Sequence, residues 1–320
     1  VDSLVNSFPI VVEKIKKILN KSVPNIENKI HLKKCDLCDF NLLKNVFQEF
    51  SGDNSISAVI HFAGLKAVSE SISFPLRYWN NNVLGTINLL KVMDQFNCRN
   101  LVFSSSATIY GVNDTKKNLK EDDPKNPINT YGDTKYTIEK ILNNLIQTNR
   151  NEWRSAILRY FNPIGAHNSG TIGESPRNFG NNIMPIINSV ALRQREHLCI
   201  FGNDWNTIDG TPIRDYIHIE DLADGHVKAL EHLLKKKSKQ ISLNLGTGNG
   251  SSVLQLIKVF EEVNNINILY RFSPRRDGDI AYSVADNSLA KKVLNWQPQK
   301  NLHDMCKDSW NWVSKNPNGY

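Results

Sequence analysis

Tyr131 and Lys135 stand four residues apart, a spacing that brings both side chains to one helix face about a turn from each other. A phenol with an ordinary pKa of about 10 is a poor base at neutral pH, whereas an ammonium several ångströms away favours the phenolate and lowers that pKa. Tyr131 is therefore expected to take a proton from a substrate hydroxyl. Upstream, Ser104, Ser105 and Ser106 follow the apolar run Leu101-Val102-Phe103, which sets hydroxyls at the carboxyl edge of a sheet, where open α/β proteins bind ligands. Ser104 and Ser105 read equally well as turn formers; convergence with Tyr131 and Lys135 singles out Ser106. Cys35-x-x-Cys38 lacks a second CxxC or HxxxH downstream and reads as two strand-end thiols, so no metal is expected.

Holding such groups requires a sheet and the helices that cover it. Short β-branched runs alternate with stretches at helical spacing through the first half, the pattern of a parallel sheet covered on both faces. Strands are expected at 29–33, 57–62, 100–105 and 155–161. Helices are expected at 9–19, with Ser7 as its cap, at 75–96 and at 130–148. After Asn162 the texture changes to a long Gly, Asn, Ser and Pro stretch, and the expected boundary divides a first domain, 1–162, from a second, 163–320. The second half reads as helices at 182–193, 219–234, 252–263 and 302–313 with strands at 198–201, 241–245 and 268–272. A cleft between the domains would open outside the carboxyl ends of the parallel strands.

Composition narrows the function classes. The 320 residues are 40% hydrophobic and 22% charged, without a run of eighteen apolar residues, which excludes disorder, collagen and membrane-spanning helices from the reading. Lys plus Arg exceed Asp plus Glu by 39 to 32, and that excess suits an anionic ligand. Nucleic acid is not implied, because the basic residues are scattered except for Lys235, Lys236, Lys237 and Lys239, which close an amphipathic helix. Five cysteines are too sparse to staple the chain, and no basic-then-apolar leader follows Val1, so a reducing, cytoplasmic setting is expected.

The order Ser106, then Tyr131-x-x-x-Lys135, after an alternating strand-helix half resembles the extended short-chain dehydrogenase/reductase superfamily. Within it, His61-Phe62-Ala63-Gly64-Leu65-Lys66-Ala67-Val68, Ser104-Ser105-Ser106-Ala107-Thr108-Ile109-Tyr110-Gly111, Arg159-Tyr160-Phe161-Asn162-Pro163, Phe201-Gly202-Asn203-Asp204 and Arg214-Asp215-Tyr216-Ile217-His218 are similar to the UDP-glucose 4-epimerase family, over essentially the whole chain. The resemblance implies a Rossmann-type doubly wound parallel sheet with a smaller α/β substrate-binding domain, a homodimer, tightly bound NAD and a UDP-sugar substrate. In that chemistry Tyr131 takes the proton of the sugar 4-hydroxyl while hydride passes from C4 to the nicotinamide. The resulting 4-keto sugar turns over and recovers the hydride on its other face. Lys135 would lower the Tyr131 pKa and bond the nicotinamide ribose, and Ser106 would hold the reacting oxygen.

By the same resemblance Asp2 would bond the adenosine ribose, with Ser3, Asn6 and Ser7 lining that pocket. Asp36 and Leu37 would flank the adenine, Phe62, Ala63, Gly64, Leu65 and Lys66 would run beneath the cofactor, and Asn81 and Phe161 would complete its shell. Lys66, Ser106 and Tyr131 would also meet the sugar. Asn162, Asn182, the strand Cys199-Ile200-Phe201 against uracil, and Arg214, Arg276 and Asp279 around the diphosphate and ribose would hold the nucleotide. Ser283 stands where some family members carry a bulky Tyr that excludes N-acetylated sugars, so UDP-N-acetylhexosamines are candidate substrates unless the neighbouring Tyr282 takes that place. A nucleotide-sugar 4,6-dehydratase would want an acid pair where Ala107 and Thr108 stand, and a non-catalytic dinucleotide sensor would lose the Tyr-x-x-x-Lys pair. The family's opening strand, glycine-rich turn and first helix do not occur in the sequence. A first βα unit missing ahead of Asp2, and weak NAD binding by these residues alone, are therefore expected.

Overall fold

The computed structural model of the chain describes residues 1–112, 117–148, 152–177, 182–276 and 278–320. Helices α1 (Ile10–Leu19) and α2 (Phe40–Glu49) precede strand β1 (Val59–His61). Helix α3 (Val68–Ser73) leads into a continuous helical run of α4 (Pro75–Tyr78), a π-helical segment (Trp79–Leu84) and α5 (Gly85–Gln95). Strand β2 (Asn100–Ser106), helix α6 (Thr130–Gln147) and strand β3 (Arg154–Tyr160) follow. Beyond them come β4 (Asn162–Ile164), α7 (Ile183–Ala191), β5 (Leu198–Phe201), β6 (Ile213–His218), α8 (Ile219–Leu234) and β7 (Gln240–Leu245). The chain closes with β8 (Gly250–Ser252), α9 (Val253–Asn264), β9 (Tyr270–Ser273), β10 (Tyr282–Ser283), α10 (Ser288–Leu294) and α11 (Leu302–Lys315).

The main sheet runs β1-β2-β3-β7, all parallel, as the alternation of runs anticipates. Strand β2 is central, and its side chains alternate between two apolar layers. Leu101 and Phe103 join Leu43, Met93, Leu142 and Trp153 on one face, and Val102 joins Leu158, Leu222 and Trp296 on the other. A second body of strands, β10-β6-β4 with β8 on β6 and the pair β5-β9, packs with α7, α9 and α11 around Met184, Ile187, Tyr216 and Phe260. Helices start where side chains supply the missing acceptors. Asn129 Oδ1 accepts from Gly132 N at 2.9 Å ahead of α6, and capping boxes open α9 (Ser252 with Gln255) and α11 (Asn301 with Asp304).

Three expectations need correction. The strand expected at 29–33 is absent. Asp2 bridges Lys34, its N–H donating to Lys33 O at 3.1 Å and its carbonyl accepting from Cys35 N at 3.0 Å, and one rung does not make a strand. The boundary at Asn162 divides the sequence but not the sheet: β7 pairs with β3 along Ser155–Tyr160, and α8 packs on β2 and β3. Apolar runs in the second half were needed to cover a sheet begun in the first. Ser7 does not cap α1 either, since its hydroxyl donates to Asp2 Oδ1. Among the described residues no helix is long and apolar enough to cross a membrane.

Candidate active site

The site forms where β2 ends against the first turns of α6. Tyr131 and Lys135 are both buried and lie on the face of α6 turned to β2. Lys135 Nζ donates to the carbonyl of Ser104 at 2.8 Å, sits 4.9 Å over the Phe103 ring and lies 5.9 Å from the centre of the Tyr131 ring. No carboxylate among the described residues lies within ion-pair distance of it. Burial pulls its pKa down to about 8. The Ser106 hydroxyl hydrogen-bonds the Tyr131 phenol and accepts from Thr108 N at 3.3 Å and Thr108 Oγ1 at 3.1 Å.

Burial works against one expectation here. Burial pushes the Tyr131 phenol well above its ordinary range, helped by the neighbouring phenols Tyr160 and Tyr78, and the Ser106 hydrogen bond only partly opposes this. Burial therefore favours Tyr131 as a neutral phenol beside the buried Lys135. Spacing alone cannot reveal that desolvation, which disfavours the charged phenolate.

The loop after β1 passes the same spot. Gly64 takes φ 155°, and a Cβ there would stand 3.2 Å from Asn82 Oδ1 and 3.8 Å from Lys135 Nζ, so the glycine leaves a cradle clear of side chains beside the lysine. Leu65 N donates to Asn82 Oδ1 at 2.7 Å and to Asn81 Oδ1 at 3.2 Å, while Asn82 Nδ2 donates to Leu65 O and Thr134 Oγ1. The wider π turn is what lets Asn81 and Asn82 both face the loop. Phe62 stays exposed and stacks 4.7 Å from His226, whose Nε2 is buried without a partner. A cradle, an open aromatic face and a lone buried ring nitrogen fit a flat, partly polar cofactor.

The other expected residues fall into separate groups. Asp2 Oδ1 accepts from Leu4 N and Ser7 Oγ, each at 2.7 Å, which closes the turn holding Ser3. Asn6 Oδ1 is taken by Arg177 N. Asp36 Oδ1 accepts from Cys38 N, and Leu37 packs on the α2 core. Lys66 reaches Glu174 at 3.1 Å, and Phe161 is buried among Ile109, Tyr110 and Ala285.

On the second body, Asp279 gathers Arg214 (3.4 Å) and Arg276 (3.2 Å), and Arg276 lies 4.4 Å over the Phe201 ring. Ser283 is the register partner of Arg214 and so shares its side of the sheet, whereas Tyr282 is anchored on Asn118. Asn162 pairs with Tyr216, and Asn182 precedes α7 without capping it. Cys199 is half-buried, while the Ile200 side chain belongs to the core, which leaves only its backbone for a ligand.

Sequence reasoning passed over Ser71, Asn82, Glu139 and Arg159. Ser71 Oγ accepts from Tyr131 N at 3.1 Å. A charged residue on the apolar face of α6, Glu139, was the available signal. His218, Glu220 and Asp308 also cluster, but His218 Nδ1 accepts from Glu220 N, which leaves Nε2–H to donate to Asp308 at 3.2 Å. Lys300 already sets a cation beside both acids.

A parallel sheet with the Ser, Tyr-x-x-x-Lys group at its carboxyl edge defines an extended short-chain dehydrogenase/reductase, and the GDP-mannose 4,6 dehydratase family model matches residues 4–309. A UDP-glucose 4-epimerase of Bacillus subtilis (strain 168) is 48% identical over 319 residues, covering 100% of this chain and 90% of that one. Solved structures agree. The UDP-glucose 4-epimerase of Stenotrophomonas maltophila, crystallised with NAD and formylated UDP-arabinopyranose, superposes with TM-score 0.91 at 42% identity, over 98% of this chain and 89% of that chain. The enzyme of Bifidobacterium longum, in complex with NAD+ and UDP, gives 0.90 at 41%, over 100% and 91%. The chain belongs to the UDP-glucose 4-epimerase family.

Proposed function

We propose that this chain interconverts UDP-glucose and UDP-galactose by transient oxidation at C4, with NAD held by the first lobe and the UDP-sugar between the lobes. The observation that carries the reading is the convergence of Tyr131, Ser106 and a buried, carboxylate-free Lys135 at the end of β2. Bound NAD would supply a reversible two-electron acceptor for the sugar carbon. The protein's share is the proton. Tyr131 accepts it from the 4-hydroxyl, Ser106 hydrogen-bonds the oxygen that loses it, and the Lys135 ammonium holds the phenolate that burial alone disfavours. Because the sugar carbon would regain its two electrons on its opposite face while Tyr131 returns the proton to the 4-oxygen, the configuration at C4 inverts with no net redox change.

For the cofactor, Asp2, Ser3, Asn6 and Ser7 would take the adenosine ribose, Asp36 and Leu37 the adenine, and Phe62–Lys66, Asn81 and Phe161 the remainder, with Gly64 giving the close approach. For the substrate, Arg214 and Arg276 would face the diphosphate, which would draw them from Asp279. Asn162, Asn182 and the Cys199–Phe201 backbone would line the nucleotide. Ser283, on the same side as Arg214, favours acceptance of N-acetylated sugars, and the anchoring of Tyr282 on Asn118 supports that assignment. Five free thiols among the described residues suit a reducing, cytoplasmic compartment. Exposed Leu76 and Leu84 on the α4–α5 run suit a homodimer.

Conversion of UDP-galactose to UDP-glucose by the NAD-loaded protein tests the reading. Tyr131→Phe should cut turnover by orders of magnitude with NAD still bound, and near-full activity in that variant defeats the mechanism. Ser283→Tyr should abolish activity on UDP-N-acetylglucosamine while sparing UDP-glucose; equal exclusion by both forms removes the specificity reading.

A further inference from the structure

Glu139 extends the face of α6 that carries Tyr131 and Lys135, at i+8 from the tyrosine, so the three side chains stack on successive turns. Each of those turns touches β2. Tyr131 meets Ser106, Lys135 meets the carbonyl of Ser104, and Glu139 Oε1 accepts from Ser105 Oγ at 2.6 Å. Glu139 also takes Arg159 in a two-pronged pair, Nε to Oε1 at 3.0 Å and Nη2 to Oε2 at 2.7 Å. Ser105 and Arg159 are register partners across β2 and β3, so the carboxylate sits on a single rung joining adjacent strands. The guanidinium is fixed in turn: Nη1 donates to Tyr110 Oη at 3.0 Å and to Glu121 O at 2.9 Å, and Tyr110 Oη donates to Asn244 Oδ1 at 2.6 Å. Side-chain exposure is 2% for Glu139 and 6% for Arg159.

Stability is a weak reason for such a pair, because buried ion pairs do about as well when replaced by apolar residues of similar volume. What a two-pronged, saturated pair supplies is a fixed position.

We propose that Glu139 is a positioning residue: through Ser105 and Arg159 it locks α6 onto the serine strand and thereby sets the distance of Tyr131 and Lys135 from Ser106. This rests on the roles given to Tyr131 and Lys135 in the proposed function. Misplacement of reacting groups by a fraction of an ångström to an ångström costs about 10- to 100-fold in rate, and a helix free to shift on β2 moves both groups together relative to Ser106.

The decisive variant is Ser105→Ala, which severs the tie to β2 while leaving the Glu139–Arg159 pair intact and removes only a hydroxyl from the core. Expected in the NAD-loaded protein is a fall in kcat of about tenfold with KM within about twofold of wild type, and a shift to higher pH of the acid limb of the kcat/KM profile. In the ligand-free protein the Cε resonance of Lys135 should titrate at higher pH than in wild type, because a loosened helix admits water to the ammonium. The double variant Glu139→Leu/Arg159→Met, which keeps volume and removes both charges, should show the same loss of kcat at unchanged Tm. Wild-type kcat and an unmoved Lys135 titration in Ser105→Ala overturn the proposal, as does full activity in the double variant. If Tyr131→Phe retains activity, the reading of the site fails instead; an inactive Tyr131→Phe beside a fully active Ser105→Ala sinks the positioning role alone.

Discussion

Lys135→Met should weaken catalysis and strengthen the fold at once. The ammonium lies 5.9 Å from the centre of the Tyr131 ring. At an effective dielectric of about 20 that separation corresponds to about 3 kcal/mol of support for the phenolate, or about two pH units. Turnover near pH 7 should therefore fall about 100-fold, with part of the loss recovered as pH rises. The same charge strains the folded state. Burial lowers the Lys135 pKa from 10.5 to about 8, so below about pH 8 the folded protein carries a proton that the unfolded chain binds more tightly. For a base with a depressed folded pKa, stability rises with pH between the two values, and the penalty at neutral pH is about 3 kcal/mol. Methionine removes that penalty and gives up the hydrogen bond to Ser104 O, worth about 1 kcal/mol. A Tm increase of about 3–6 °C at pH 7 follows, shrinking toward zero near pH 10. Thermal unfolding and initial rates from pH 6 to 10 measure both effects. A variant less stable than wild type and within about fivefold of its rate would refute the electrostatic account.

Three further outcomes follow from packing and charge. Gly173→Ala would set a Cβ 2.3–2.6 Å from the Trp312 ring, displacing an indole that donates to Glu174 O, and should lower stability by about 1–3 kcal/mol; an unchanged melting curve contradicts it. Trp296 is fully buried between α8 and α10, with Nε1 on Asp221 O at 3.0 Å. Trp296→Ala should cost about 3–5 kcal/mol and leave kcat per folded molecule unchanged, so a selective loss of kcat would be the adverse result. Arg214→Met should raise KM for UDP-sugars about tenfold or more, and Arg214→Lys should not restore it, because a point charge cannot reproduce the planar fork; rescue by lysine argues against diphosphate recognition.

Much of the first lobe was legible because both-face burial writes continuous apolar runs: β2 and β3 fall within a residue of expectation. Helix α8 was matched at both ends, with an apolar stripe and a basic finish. Local pattern misled where long-range pairing decides. The run at 29–33 has strand-like residues but a single partner rung, and β6, with Arg214, Asp215 and His218 among its six residues, reads as polar because its charges are satisfied inside. Of the site, spacing revealed Tyr131 and Lys135 as neighbours. It was silent on the depth of burial that opposes the phenol's expected acidity, and on Glu139 and Arg159, each of which looks like a solvated charge until its partner, 20 residues away, is known.

The return of β7 to the first sheet bears on how the molecule can adapt to cargo. The backbone passes between the two bodies at Phe161, again at His218 and again after Leu245, where β8 rejoins β6. A hinge between the bodies would have to bend all of these threads together, which restricts the axes open to it. Room for a larger sugar would then have to come from a smaller side chain inside the site, the part that Ser283, buried beside Arg214, takes in the proposed specificity.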